Sequence, residues 1–293
     1  MRDHDVRAPL SLQHPKSLPL IFGRPVLGQI AKSGSSPTFT YVLRQAGYQS
    51  SRVHRLWDVY EDVYSYLLRH YRCEYVFKNV IATRLLLARH TLGKATLLSE
   101  FRVGIRKADV AILNGTSTVY EVKTGLDNLD RLSAQLEAYR KVFDRICVVT
   151  EPHLIEAVAA VVGEGIGLVE LTERGALKTR REPASNAENV DPGTIFGSLR
   201  RAEYTEILTT ELGEVPHLPS GLVWRAYRKL FETLPPGVAH RRMVEVLRRR
   251  VPPYAAAMLS ALPASLHHAG LTIRLNRKEG AALAAAMNAP PPL

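Results

Sequence analysis

The chain has 293 residues, 46% of them hydrophobic, which is enough for one large domain or two with a sizeable core. Lys and Arg outnumber Asp and Glu by 39 to 28, so the net charge of +11 favours a polyanionic partner, although a basic solubilising surface would look the same. No apolar run approaches the roughly 18 residues of a membrane span, and two cysteines make no disulfide framework or metal-ligand pattern. We therefore expect a cytoplasmic protein that does not enter a membrane.

The first part of the chain changes character near residue 50. Residues 1–50 contain five prolines among basic residues and show no sustained hydrophobic period, which predicts a flexible arm. Apolar residues then recur at helical spacing over residues 52–69 and again over residues 74–90. These patterns predict two helices, and we expect the second to pack on a sheet formed by the strands that follow it.

The central part of the chain carries the strand signals. Residues 98–105 are typical of a strand, and residues 109–113 form a short apolar run that ends at Asn114-Gly115, a strong hairpin turn. Residues 117–124 alternate as a second strand of that hairpin, and residues 145–150 form a further apolar strand. A helix is expected between these last two strands.

Acidic residues fall at places where these strands would bring them together. Asp109 opens one strand of the hairpin, and Glu121 lies in the other with Lys123 on the same face. Carboxylate oxygens suit Mg²⁺ or Mn²⁺, and a neighbouring ammonium group could orient a water or stabilise charge on a phosphate. The pattern predicts a metal-dependent phosphodiesterase, whereas a solvated strand face is the alternative explanation of Glu121 and Lys123.

These residues resemble the PD-(D/E)XK nuclease superfamily. The resemblance is carried by Glu100, Asp109 and the triplet 121–123, and the helix after it matches the Q-x-x-x-Y element of RecB-like exonucleases with Gln135 and Tyr139. The nearest grouping within the superfamily is a set of uncharacterised bacterial proteins. The resemblance implies a restriction-endonuclease-like αβββαβ core, which is an α/β fold with a mixed central sheet flanked by helices.

The resemblance also assigns roles within the site. It implies that the Mg²⁺ or Mn²⁺ ligands are Asp109, Glu121 and the carbonyl of Val122, with Glu100 as a further catalytic carboxylate. Lys123 would assist the attacking water. In RecB-like exonucleases the glutamine and tyrosine help to place DNA, so Gln135 and Tyr139 are expected to contact the substrate.

The rest of the chain predicts a boundary and a helical region. Two short strands over residues 165–171 and 176–182 are expected to form an edge hairpin, which would end a nuclease-like domain spanning residues 51–183. Residues 184–193 are polar and rich in turn formers, which predicts a linker. Helical patterns over residues 194–293 predict a C-terminal helical, DNA-binding region.

A run of three arginines in this last region is the strongest candidate for phosphate contacts. Arg248 and Arg249 are therefore assigned to substrate binding, and a solvated basic helix end is the alternative. The function favoured by the sequence is a bacterial nuclease that hydrolyses DNA, in repair, mobile-element processing or phage defence. The alternatives are a DNA-binding or assembly protein that keeps the fold without turnover, and a nuclease for RNA or a nucleotide messenger. No Walker motif is present, so an ATP-driven step would need a partner, and a homodimer or larger complex is left open.

Overall fold

The structure, a computed structural model, describes residues 12–49, 54–250 and 255–292. Its internal contacts divide the chain into two compact units. The sheet unit comprises residues 80–255, and the helical unit combines residues 1–79 with residues 256–293. Within the described ranges, no helix has both the length and the apolar character needed to cross a bilayer.

The sheet unit is built on one six-stranded sheet whose spatial order follows the chain. Its strands are β1 Thr96–Val103, β2 Arg106–Leu113, β3 Ser117–Lys123, β4 Arg145–Thr150, β5 Gly167–Leu171 and β6 Leu177–Arg181. The first three strands are antiparallel, β4 is parallel to β3, β5 is parallel to β4, and β6 is antiparallel again. The predicted α/β class, with a mixed sheet flanked by helices, is confirmed.

The connections explain these strand directions. The loop between β2 and β3 contains Gly115 with φ of +105°, a conformation that favours glycine, and it closes the predicted hairpin. Parallel pairs need a longer crossover, which α5 (Leu132–Arg140) supplies between β3 and β4 and α6 (Ile155–Val161) supplies between β4 and β5. The predicted edge hairpin is present as β5 and β6.

The core of the sheet unit joins the sheet to helices from later in the chain. These helices are α7 Pro192–Ser198, α8 Arg201–Leu212, α9 Ser220–Phe231 and α10 Pro236–Leu247. Phe101 and Val119 of the sheet, Phe143 after α5, and Phe196 and Phe231 of the later helices belong to one buried cluster. Burying these side chains stabilises each by about 1.5–3 kcal/mol relative to exposure. The helices after residue 190 are therefore part of the same hydrophobic core as the sheet.

This core changes the expected boundary at residues 184–193. The segment is fixed to the sheet unit because Asp144 Oδ1 accepts hydrogen bonds from the backbone N–H groups of Asn186 and Ala187, at 2.9 and 3.0 Å. The sequence on both sides of it belongs to the sheet unit. A polar, turn-rich segment was expected to be a linker, but a buried carboxylate supplies the hydrogen bonds that such a segment would otherwise take from water.

The helical unit is formed by both ends of the described sequence. Its helices are α1 Arg24–Ser33, α2 Pro37–Gln45, α3 Leu56–His70, α4 Glu74–Ile81, α11 Ala255–Ser260, α12 His267–Thr272 and α13 Arg277–Met287, of which α4 and α11 extend past the limits of the unit. The last residues are tied to the first ones by hydrogen bonds from Leu56 N to Ala289 O, at 2.8 Å, and from Thr40 Oγ1 to Pro292 O, at 2.5 Å. The C-terminal helical region is thus shared between the two units.

Two predictions for the first 90 residues are wrong. Residues 18–45 are not a flexible arm, because they form a 3-10 helix (Leu18–Phe22), α1 and α2 with buried apolar side chains. Residues 1–11 lie outside the described range. The prolines at 19, 25 and 37 fall in the first turn of each of these helices, where the missing N–H group costs nothing, so they start helices instead of breaking them. An α-helix was expected over residues 74–90, but the α-helix ends at Ile81 and a π-helical segment, Ala82–Leu87, follows it.

Candidate functional site

The candidate site lies where β2 and β3 separate. The two strands pair from Leu113 and Ser117 as far as Val110 and Tyr120, and no further pair follows. Beyond this point the carboxylate of Asp109 takes over, since its Oδ2 accepts a hydrogen bond from the backbone N–H of Val122 at 2.8 Å. Asp109 is therefore held by β3, and the predicted closeness of Asp109 to the triplet 121–123 is confirmed.

Glu121 and Lys123 share a face of β3, as the alternation predicts. Lys123 Nζ donates a hydrogen bond to Glu121 Oε1 at 2.8 Å, and the two side chains are 9% and 2% exposed. A solvated strand face is therefore wrong as an explanation of this pair. A buried ion pair repays its desolvation only with good geometry and further hydrogen bonds, so the groups around it matter.

The helix α5 supplies those further hydrogen bonds. Gln135 bridges the ion pair, because its Nε2 donates to Glu121 Oε1 at 2.5 Å and its Oε1 accepts from Lys123 Nζ at 3.1 Å. Tyr139 Oη lies 2.8 Å from Glu121 Oε2 and 2.7 Å from Lys107 O, and its single proton can be donated to only one of them at a time. Burial first, and then the charge of Glu121, raises the pKa of Tyr139. The phenol is therefore a neutral hydrogen-bond donor.

Glu100 stands opposite Asp109 in an unusual backbone conformation. Its neighbours in β1 pair regularly, Ser99 with Val110 and Phe101 with Ala108, but Glu100 has φ of +55°. That left-handed conformation costs on the order of 1 kcal/mol or more for a residue with a side chain. A carboxylate oxygen of Glu100 lies within 4.8 Å of one of Asp109, although both groups carry negative charge. Strain and like charge thus coincide at one position of the sheet.

The donor set suits a hard divalent cation. The exposed Glu100 and the half-buried Asp109 offer carboxylate oxygens close together, and oxygen ligands are those that Mg²⁺ and Mn²⁺ prefer. Glu121 is buried, and both of its oxygens already accept hydrogen bonds, although a carboxylate has about four acceptor positions. The predicted ligands therefore divide into an accessible pair, Glu100 and Asp109, and a buried third carboxylate.

The predicted arginine contacts lie outside this network. Arg249 forms an ion pair with Glu206, and Arg248 Nη2 donates to Gly93 O at 3.2 Å. Arg250 pairs with Glu203 through two hydrogen bonds, at 2.7 and 2.6 Å, and its guanidinium carbon lies 5.6 Å from the ring centroid of Phe101. Within the sheet unit these arginines therefore already contact carboxylates or carbonyls, and Arg250 also stacks on Phe101 of β1.

A second buried polar cluster, which no sequence motif indicates, lies at the opposite end of β3. Asp144 accepts hydrogen bonds from Thr116 Oγ1 and Ser185 Oγ, each at 2.6 Å, and Ser117 Oγ lies 2.8 Å from His240 Nε2. Burial opposes ionisation of Asp144, but these hydrogen bonds outweigh it and lower its pKa. Burial lowers the pKa of His240. The cluster fixes loops, and its only sequence signal is a lone Asp between a helix and a strand.

Comparisons with known proteins match a large part of the chain. A family model described as bacteriophage P4 protein cII matches residues 68–262. Protein cII of Enterobacteria phage P4 is 35% identical over 81 residues, which are 27% of this chain and 31% of that protein. This chain therefore matches less than a third of the length of that relative. A solved structure, the SPO1766 protein of unknown function from Silicibacter pomeroyi, covers 48% of this chain and 92% of its own, with 15% identity and a TM-score of 0.31.

The family match includes every candidate site residue named above, from Glu100 in β1 to Arg249 after α10. The three descriptions name no enzymatic activity, so the resemblance to PD-(D/E)XK nucleases stays a prediction. The family model matches well over half of the length of this chain, and the chain therefore belongs to the bacteriophage P4 protein cII family.

Proposed function

We propose that this protein is a Mg²⁺- or Mn²⁺-dependent phosphodiesterase that hydrolyses DNA at the site between β1, β2, β3 and α5. The observation that carries the proposal is the buried contact of Lys123 with Glu121 beside an Asp109 that is anchored to the backbone of Val122. The order α4, β1, β2, β3, α5, β4, with β4 parallel to β3, supports a restriction-endonuclease-like αβββαβ core.

The roles follow from what each side chain contacts. Asp109 and Glu100 would hold the cation at their facing carboxylates, with Glu121 behind them. A bound divalent ion would polarise a phosphoryl oxygen and lower the pKa of a bound water. Lys123 uses two of its three N–H donors within the described part of the chain, on Glu121 and Gln135, which leaves one for a phosphate or water oxygen.

The structure supports a different role for the Q-x-x-x-Y residues from the expected contact with DNA. Tyr139 is fully buried, and its hydroxyl group reaches Glu121 and the Lys107 carbonyl. Gln135 contacts both Glu121 and Lys123. We therefore assign both as positioning residues that fix the buried carboxylate and the lysine, which would otherwise occupy several rotamers.

Cleavage assays with a matched pair of variants test the proposal. Wild-type protein should cut single- or double-stranded DNA with Mg²⁺ or Mn²⁺ and not with EDTA. Asp109→Asn keeps an acceptor for Val122 N–H but removes the charge, so the rate should fall by about a hundredfold or more, in the range seen when a catalytic electrostatic group is removed. Asp130→Asn makes the same change in an exposed loop and should cut like wild type. Equal cleavage by wild type and Asp109→Asn, or none with either metal, would refute the assignment.

One observation favours the alternative of a DNA-binding protein without turnover. Both oxygens of Glu121 are occupied by Lys123, Gln135 and Tyr139, so this carboxylate already has a structural role without a cation. A protein that binds DNA equally well in EDTA and in Mg²⁺, and cuts it in neither, would fit this alternative.

A further inference from the structure

The helical unit contains a cavity of about 240 Å³ that the site in the sheet unit does not use. One wall is α1, which presents Arg24, Gly28 and Lys32 at intervals of four residues and therefore on one helical face. The other wall is the segment from Ile273 into the first turn of α13. Both walls belong to the same compact unit.

The charge of this cavity is positive and poorly balanced. Arg24, Lys32 and Arg274 line it, and none of the three forms an ion pair within the described ranges of the chain. The only carboxylate in the lining, Glu279, is used in the capping box of α13, where it accepts a hydrogen bond from Asn276 N at 3.0 Å. Three cations around one concave surface favour an anion with several acceptor oxygens.

We propose that this cavity binds the phosphate group of a free nucleotide or of a nucleic-acid strand. Two arginines and a lysine supply the donors that phosphate oxygens require, and the side chains of Ile273 and Leu275 add an apolar surface against which a sugar or base could pack. Gly28 leaves the floor open, because a Cβ placed there would meet no atom within 4 Å. The site is independent of the proposed hydrolysis, which uses residues of the sheet unit.

Gly28 makes a matched pair of variants available. Gly28→Glu would place a carboxylate in the cavity and neutralise one cation, whereas Gly28→Ala adds only a methyl group and favours the helix. Binding of a fluorescent adenosine mononucleotide and of a 12-nucleotide single strand is measured in EDTA with the protein that contains both units. Gly28→Glu should lower the binding affinity for the probe that the cavity recognises by about tenfold or more, as expected for loss of a charge-assisted contact. Gly28→Ala should bind the probe like wild type.

A second pair avoids any change within α1. Arg274→Gln removes a cation from the lining, and Arg277→Gln removes the same type of residue from an exposed position outside it. For the strand, Arg274→Gln should also reduce the slope of log affinity against log salt by about 0.7, the value for one phosphate contact, while Arg277→Gln leaves the slope unchanged.

The results separate the two sources of phosphate. If the variants weaken binding of the mononucleotide alone, the ligand is a free nucleotide. If they weaken binding of the strand alone, the ligand is nucleic acid. If they weaken binding of both probes, the cavity accepts a phosphate group from either source. If wild type binds neither probe, or if Gly28→Glu and Arg274→Gln bind both probes like wild type, the proposal is overturned. Cleavage that persists in such a case would leave the proposed function of the sheet unit intact.

Discussion

Two groups of charged residues in the sheet unit, the pair Glu121 and Lys123 and the arginines at 248–250, differ in how they are compensated. The pair is buried, and every contact that balances it comes from β3 or from the adjacent helix α5. The arginines are more exposed, and Arg249 and Arg250 are balanced by Glu206 and Glu203 of α8. Removing one charge from the buried pair leaves the other charge buried without a partner, whereas water can replace either partner in the exposed pair of Arg249 and Glu206.

The largest effect is expected from Lys123→Ala. The variant leaves Glu121 buried without its ammonium partner, which should lower the free energy of unfolding by about 3–5 kcal/mol. Urea unfolding followed by circular dichroism measures this loss. Adding Glu121→Gln to Lys123→Met removes both charges and should cost less than Lys123→Ala. A loss below about 1 kcal/mol for Lys123→Ala would mean that burial does not distinguish the two groups.

Tyr139→Phe should have the next largest effect. The ring keeps its packing, but Glu121 and the Lys107 carbonyl lose a buried donor, which should cost about 1.5–3 kcal/mol in the free energy of unfolding. Tyr204→Phe is the matched control, because the Tyr204 ring is also buried and its hydroxyl forms no hydrogen bond among the described residues. Equal losses in the two variants would show that the Tyr139 hydroxyl contributes nothing specific.

His268 is a buried titratable group that stays uncharged near neutral pH. His268 of the helical unit has its pKa lowered to about 3 by burial first and then by the charges of Lys78 and Arg24. Below about pH 6.5 this imidazole is protonated in the unfolded chain but not in the folded chain. The free energy of unfolding therefore falls as the pH falls, by about 1.4 kcal/mol per pH unit towards pH 3.

Denaturation midpoints of wild type and His268→Gln at pH 7 and pH 5 check this pH dependence. The variant should lose about 2 kcal/mol less than wild type between these two values, since glutamine does not titrate in this range. Parallel pH dependence of the two proteins would contradict the low pKa of His268.

The smallest effect is expected from Arg249→Ala. Its ion pair with Glu206 joins two side chains that are 60% and 51% exposed, so the free energy of unfolding should change by less than about 1 kcal/mol. The same urea titration measures it. A loss comparable to that of Lys123→Ala would remove the distinction between the buried and the exposed group.

Local patterns were sufficient for the elements around the candidate site. Alternation placed Glu121 and Lys123 on one face, and the Asn114-Gly115 turn placed β2 beside β3, because both signals act over a few residues. The burial of Lys123 was not predictable in this way. It depends on α5, a separate element whose Gln135 accepts a hydrogen bond from Lys123.

The division into units was beyond the reach of local patterns for the same reason. The prolines of residues 18–45 indicate a break when each is taken alone, but α1, one of the helices that they start, is stabilised by packing against α13, which lies far away in the sequence. Local patterns also do not show the partners of Arg249 and Arg250, because Glu206 and Glu203 of α8 lie 43 and 47 residues away from them in sequence. A run of arginines in the sequence shows that the segment is positively charged, but it does not show which carboxylates compensate that charge in the folded protein.

The discontinuous helical unit has a consequence for biosynthesis. Residues 80–255 form one uninterrupted stretch, so the sheet unit can complete its contacts while the chain is still attached to the ribosome. The helix α1 precedes the sheet unit in the chain, but it packs against α13, whose residues 277–287 follow the sheet unit. The apolar face of α1 must therefore stay without this partner while the whole sheet unit is synthesised, and during that time it is a surface that a chaperone can bind.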